Sequence, residues 1–306
     1  MSAALVIGTR GSALALSQAR VVQATLEACA PSRPWRLERV ASRADEHPER
    51  PIEALGGEGV FVKELESALR DRRIDVAVHS MKDVPLALPD ALSIAAVLTR
   101  DDPRDALVSR HGESLSQLPK GARIGTSSPR RRSQLLRERA DLHVMDMRGN
   151  VDTRLRKLDG GEYDAIVLAA CGLIRLGLPH RITECLSVER MLPEPGQGAI
   201  AIEARRDDRH VLDLLASLDD AAAHTCIDAE RAFLATLGGG CRVPIAAYAA
   251  CEGDVIVLRG LVITPDGRRQ TDGITRGPIR SPVTLGKTLA DQLIARGAKE
   301  LLTQST

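Results

Sequence analysis

The sequence predicts an α/β protein: two sheet-and-helix domains joined by paired hinge strands, followed by a small C-terminal α+β domain. Three observations carry this expectation. From Leu5 to Leu176, short apolar runs are followed by a polar turn and then an apolar period of helical spacing, the pattern of repeated β–turn–α units. Two polar, proline-containing breaks, Thr99 to Arg104 and Leu192 to Gly198, bracket a second such series, as an inserted domain would require. From Ala221 the texture changes to a long helix, alternating strands and a final helix. The boundaries read as 1–99 with 199–217 for the first domain, 104–193 for the inserted one and 220–306 for the third.

The elements follow in order. Leu5-Val6-Ile7 is a short buried strand, and Ser12 caps a helix whose apolar period is Leu14, Leu16, Ala19, Val22 and Leu26. The turn between them, with Arg10 beside the helix start, is an anion site in outline. Trp35 to Val40 alternates as a strand. The stretch from Ser42 to Gly59 is polar, proline-broken and glycine-rich, which marks a loop or lid. The helix from Val60 to Arg70 carries Phe61 at its start, either as core or as a ring that stacks on a ligand. The strand Ile74 to Val78 runs into His79-Ser80-Met81-Lys82-Asp83, polar groups at the strand end where open α/β sheets bind ligands. Ile94 to Leu98 is a further strand.

The second series opens with Ile124-Gly125-Thr126-Ser127-Ser128-Pro129-Arg130-Arg131-Arg132. Pro129 fits the first helical position. Thr126 and Ser128 with the helix N–H groups and the arginines make an anion trap. Cations in a first turn oppose the helix dipole, a cost that a bound anion offsets; the alternative is a solvated basic face. Leu142 to Met145 leads to Arg148 and Arg154, and the strand Ala165 to Ala169 to Arg175, so arginines recur at strand-to-helix switches. The break at Pro195-Gly196-Gln197-Gly198 precedes a return to the first domain over Ala199 to Ala204.

In the third domain a helix through Glu230 and Phe233 ends at Gly238-Gly239-Gly240, immediately before Cys241. These glycines read as a helix cap with an incidental thiol, or as a turn that presents Cys241 to a ligand. Strands follow over Ile245 to Ala250 and Val255 to Val262, then a Thr264-Pro265-Asp266-Gly267 turn and a helix over Val283 to Arg296.

Composition narrows the function. A net charge of +1 supplies no general attraction to nucleic acid or an anionic membrane. An aromatic content of 2% leaves few rings for stacking on unpaired bases. No apolar run reaches the ~20 residues of a membrane span, and the start lacks a basic, signal-like region. A cytoplasmic location without nucleic-acid or membrane partners is expected. The six scattered cysteines form no C-x-x-C pair and suggest reduced thiols, with no metal site. A thiol on a loop, a carboxylate beyond a strand and several arginines fit a tethered, multiply carboxylated ligand. The rivals are a non-catalytic, two-lobed polycarboxylate-binding protein and, more weakly, an arginine-rich nucleic-acid binder.

Six segments in order make the chain resemble the porphobilinogen deaminase (hydroxymethylbilane synthase) family over essentially its whole length. They are Gly8 to Leu16, Val78 to Pro85, Gly125 to Arg131, Arg148 to Arg154, Pro195 to Gly198, and Glu230-Arg231 with Gly239 to Ile245. The resemblance implies two α/β domains like type II periplasmic binding proteins, a monomer, and a dipyrromethane cofactor on Cys241 through a thioether. It implies that four porphobilinogen molecules are joined with loss of ammonia and released as hydroxymethylbilane. Asp83 would be catalytic, holding pyrrole N–H groups and stabilising the azafulvenium cation. Ser12, Lys82, Asp83, Thr126, Ser128, Arg130, Arg131 and Arg154 would bind cofactor. Arg10, Arg148, Arg154, Arg175, Phe61 and Gln197 would bind substrate. Two positions depart from the pattern: Glu58 stands where relatives carry a lysine, so a carboxylate-binding role is not transferred, and Pro129 replaces a common leucine.

Overall fold

Apolar runs that lose their alternation become strands covered on both faces. From the N-terminus, β1 (Leu5–Thr9), α1 (Ala13–Cys29), β2 (Trp35–Arg39), α2 (Lys63–Arg70), β3 (Val76–Ser80) and β4 (Leu92–Val97) alternate. The scheme repeats as β5 (Asp105–Ser109), β6 (Arg123–Gly125), α3 (Pro129–Glu138), β7 (His143–Met145), α4 (Val151–Asp159), β8 (Ala165–Ala169), α5 (Ala170–Arg175) and β9 (Glu184–Leu186). Next come β10 (Ile200–Arg205), α6 (Arg209–Ala216) and α7 (Ala221–Leu237). The chain closes with β11 (Ile245–Glu252), β12 (Val255–Ile263), β13 (Gln270–Pro278), α8 (Pro282–Ala295) and α9 (Ala298–Thr303). This computed structural model describes residues 4–31, 33–41, 59–239 and 243–303.

The chain divides into two compact units, 1–101 with 199–224 and 102–198 with 225–306. The first unit holds a sheet of order β2-β1-β3-β10-β4, in which β10 runs antiparallel to both neighbours. The second holds a sheet of order β7-β6-β8-β5-β9, in which β5 is the reversed strand. Each sheet places its like-directed strands in the order second, first, third, fourth, with one reversed strand before the last. Both are therefore α/β sheets of one shared plan. A separate antiparallel sheet, β11-β12-β13, completes the small C-terminal α+β part.

In the first unit, Ile7, Val78 and Ile202 meet Ala19, Val22 and Leu26 of α1 on one face, while Leu65 and Leu69 of α2 cover Ala77 on the other. In the second, Ile124, Leu135 and Val167 form one layer, and Val108, Ile166 and Leu173 form another. Phe233, Leu258, Leu289 and Leu293 fill the C-terminal core, so α7 and α8 share one face of the three-stranded sheet. Each such large apolar side chain contributes roughly 1.5–3 kcal/mol by leaving water.

The expected caps form. Ser12 accepts the Ala15 N–H at 3.3 Å, and Ser128 accepts the Arg131 N–H with Pro129 at the first helical position. At the end of α7, Gly238 has φ +72°. Its N–H bonds to the Ala235 carbonyl, and the Gly239 N–H reaches the Leu234 carbonyl. These two bonds are the Schellman pair that terminates a helix. The helix expected from Val60 begins later, at Lys63, because Val60 and Val62 are buried in the preceding turn. Strands β5, β9 and β13 and helices α6 and α9 add to the elements expected. Among the described residues, no helix is long and apolar enough to cross a membrane.

Candidate active site

In the first unit, β3 delivers its polar sequel into a pocket lined by Arg10, Ser12, Phe61, His79, Ser80 and Asp83. A 3-10 turn over Met81–Asp83 follows the strand at once and places the half-buried Asp83 there, while Met81 is buried beneath. Lys82, in the same turn, is half-buried. Arg10 lies with its guanidinium carbon 4.2 Å from the centroid of the Phe61 ring. That is a cation–π contact, so Phe61 is a partly exposed pocket wall, not a core residue. Gln18, buried on α1, exchanges hydrogen bonds of 2.9 and 3.2 Å with the Ser80 hydroxyl and so orients it. Behind the pocket, His79 Nε2 lies 3.0 Å from Glu203 Oε2 on β10, both side chains buried. Burial, and then the Glu203 charge, push the neighbouring Glu66 carboxyl upward.

In the second unit the arginines at the start of α3 turn inward. Arg130 donates to Asp105 Oδ2 at 2.7 Å and to the Leu192 carbonyl at 2.8 Å. Arg131 donates from Nε to Asp105 Oδ1 at 2.9 Å and from Nη1 to the Val167 carbonyl at 3.2 Å. Asp105 is fully buried at the first position of β5. Burial alone would raise its carboxyl, but the two guanidinium charges and their hydrogen bonds hold it far below the usual range. Gln197, also fully buried, donates to Asp105 Oδ1 at 3.0 Å and to the Pro103 carbonyl at 2.7 Å. Thr126 is buried, and its hydroxyl accepts the Ser128 N–H at 3.2 Å.

Arg154, on α4, is anchored by an Nε bond of 2.7 Å to the Gly149 carbonyl. Burial, and then the nearby Arg131 charge, push its guanidinium down to about 10. It remains cationic at neutral pH, in surroundings short of negative charge. Arg175 is half-buried and donates to the Gly198 carbonyl at 2.6 Å, whereas Arg148 is exposed.

Two of the residues expected at the ligand are held by protein atoms. Gln197 is buried and bonded to protein atoms, where it braces Asp105. Arg130, 3% exposed, braces the same carboxylate and the chain at Leu192. Sequence reasoning missed Asp105 itself. Its only signal was a further acid just after the Asp101-Asp102-Pro103 run, which read as linker. Sequence reasoning also missed the structural use of Glu230, which is buried and accepts the Gly196 and Ala249 N–H groups at 2.7 Å each, tying the glycine turn to β11. Cys241 and Glu58 lie outside the described residues.

By fold, then, this is a two-sheet α/β protein with a C-terminal α+β domain, carrying a recessed carboxylate in one unit and a cationic cluster in the other. The family model for the dipyrromethane cofactor-binding domain of porphobilinogen deaminase matches residues 5–213, and that for the C-terminal domain matches 224–295. A porphobilinogen deaminase of Roseiflexus sp. is 52% identical over 302 residues, covering 99% of both chains. One from Acidithiobacillus ferrooxidans is also 52% identical, over 99% of this chain and 98% of its own. Solved structures that are similar include a Salmonella typhimurium periplasmic binding protein of high arginine specificity. It is 12% identical over 73% of this chain and 94% of its own, with a TM-score of 0.41. A periplasmic sulfonate-binding protein from Methylobacillus flagellatus is 14% identical over 72% and 67%, with a TM-score of 0.39.

The chain belongs to the porphobilinogen deaminase family. It is a transferase of tetrapyrrole synthesis that acts on porphobilinogen and uses a dipyrromethane cofactor. The residues present fit such a group, which offers carboxylates and pyrrole N–H donors. The depressed Arg154 marks a place that an anion would relieve, and Asp83 is a pocket carboxylate able to accept N–H bonds.

Proposed function

We propose that the protein is a hydroxymethylbilane synthase, joining four porphobilinogen units head to tail on a dipyrromethane primer held at Cys241 by a thioether. Ammonia leaves at each joining, and water finally frees the linear product. The primer supplies the electron-rich pyrrole carbon that receives each new unit. Asp83 accepts the pyrrole N–H bonds and stabilises the positive charge that develops on the incoming ring as ammonia departs. Arg10, Ser12 and Lys82 in the first unit, and Thr126, Ser128, Arg131, Arg148, Arg154 and Arg175 in the second, bind acetate and propionate groups. Phe61 holds Arg10 over its ring. Arg130 and Gln197 act one step back, by fixing Asp105 and through it Arg131. The reading includes a cytoplasmic monomer. The observation that supports it best is the placement of Asp83 in the pocket wall with Arg10 and Phe61.

The test is mass spectrometry paired with turnover. Native mass spectrometry of protein from the cytoplasmic fraction should report a single chain heavier than its polypeptide by two pyrrole units. The variant Asp83→Asn should keep that excess mass while turnover falls about a hundredfold or more. A bare polypeptide mass on active protein would remove the tethered primer and favour the non-catalytic binding protein. Near-normal turnover in Asp83→Asn would remove Asp83 from its role.

A further inference from the structure

Two cysteines outside the proposed machinery stand side by side. Cys226 lies on α7 and is buried; Cys251 lies near the end of β11 and is half-buried. Their sulfurs are 3.5 Å apart, at contact distance. A disulfide needs about 2.05 Å, so they must approach by about 1.5 Å, within reach of side-chain rotation at a strand end next to the Gly253 hairpin turn. The elements that carry them flank the segment containing Cys241: α7 ends at its Schellman turn just before it, and β11 begins just after it. Cysteines in a core often serve only as small apolar groups. Here, however, one thiol of a touching pair is reachable from solvent and the other is placed to resolve it, the arrangement of an oxidisable dithiol.

We propose that Cys226 and Cys251 form an oxidative modification site, which a low-molecular-weight disulfide such as oxidised glutathione converts to an intramolecular disulfide. The Cys251 thiolate attacks one glutathione sulfur, and the first glutathione leaves as a thiolate. Cys226 sulfur then displaces the second glutathione from the mixed disulfide. Two protein thiols are oxidised, one oxidised glutathione is reduced to two thiols, and both protons end on the glutathione molecules. The bond pins α7 to β11 and closes a covalent ring around the segment that includes Cys241. Fewer unfolded conformations remain, so the chain resists unfolding.

The other thiols among the described residues lack this arrangement. Cys29 is exposed at the end of α1 and Cys171 is buried. Cys185 is half-buried, with burial pushing its thiol upward, away from the reactive thiolate.

The experiment exposes the reduced full chain, loaded as isolated, to oxidised glutathione, then quenches with an alkylating agent, digests and maps the cysteines. The Cys226 and Cys251 peptides should be recovered joined, lighter by two hydrogens and separable by a thiol reductant. The oxidised chain should also unfold at a higher temperature than the reduced one. In Cys226→Ser, Cys251 should instead carry a glutathione adduct. Recovery of both residues as alkylated thiols in the unsubstituted chain would overturn the proposal. So would a lasting glutathione adduct on its Cys251, because Cys226 would then not resolve it. The same digest reports separately whether Cys241 was available to alkylation, which concerns the tethered primer and not this pair.

Discussion

Asp105 lies between two guanidinium groups with no exposure, and the helix that supplies both begins with them in sequence. Removing one member of a buried ionic set leaves the others uncompensated, at a cost of about 3–5 kcal/mol. Asp105→Asn, nearly isosteric, should therefore lower unfolding stability by that order in urea titration; a loss below about 1 kcal/mol would show that the arginines find other partners. Its folded pKa is depressed, so its stabilising contribution is complete above the unfolded value of about 3.9. That contribution is lost progressively as pH falls from the unfolded value to the much lower folded one. From neutral pH to about pH 5 this group should add no slope to the stability curve. At this scale the sequence was half legible. The arginines opposing the dipole of α3 were visible, and a bound anion was inferred from them. The anion that the structure reveals is internal, and only the pairing of β5 with β8 brings it beneath α3.

At the scale of elements, the end of α7 was readable because a glycine at positive φ, followed by further glycines, has few other uses. Gly239 adds a reason invisible in sequence. A methyl group there would lie 2.4 Å from Ile245 Cδ1 and 3.0 Å from both Leu234 Cδ1 and Val243 Cγ2. Gly239→Ala should cost about 1–3 kcal/mol in thermal unfolding, through overpacking where the chain turns towards Cys241. An unchanged melting curve would mean that those side chains move aside freely. Strand β13 shows the reverse case. No strand was assigned there from the sequence, yet Gly277 and Gly273 lie under α8, where added methyl groups would come within 2.7 Å of Leu285 and 3.0 Å of Leu289. The close approach of the helix, which sequence does not display, is what selects glycine in that strand. The caps at Ser12 and Ser128 were legible because they need only local hydrogen bonds.

For the molecule as a whole, the cationic cluster costs stability until an anion arrives. Arg154 is a base whose folded pKa, about 10, lies below its unfolded value. The penalty is thus present at neutral pH, where the group is charged, and would fade only as pH rises past that value. Carboxylates of a bound ligand should remove it and, by binding only the folded state, add their own stabilisation. Cys241→Ser protein, which cannot be loaded through this thiol, should melt several degrees below the loaded chain in calorimetry. Equal melting temperatures would separate the arginines from cofactor binding. The two-series α/β plan was readable throughout because strand, turn and helix alternate locally. The position of each reversed strand was less so, since its partners are distant in sequence, more than a hundred residues away for β10 and more than fifty for β5.

Strand β10 sits inside the first sheet, between β3 and β4, although it is made after every strand of the second. During synthesis the ribosome therefore releases β1 to β4 with a vacant central place, and the early strands must wait for the whole intervening stretch to emerge. The second sheet has no such delay, because its own reversed strand, β5, is translated first. Nascent chains halted before Ile200 should accordingly leave β1 to β4 open to protease after β5 to β9 have become resistant, which makes the order of birth of the two sheets the reverse of their order in the gene.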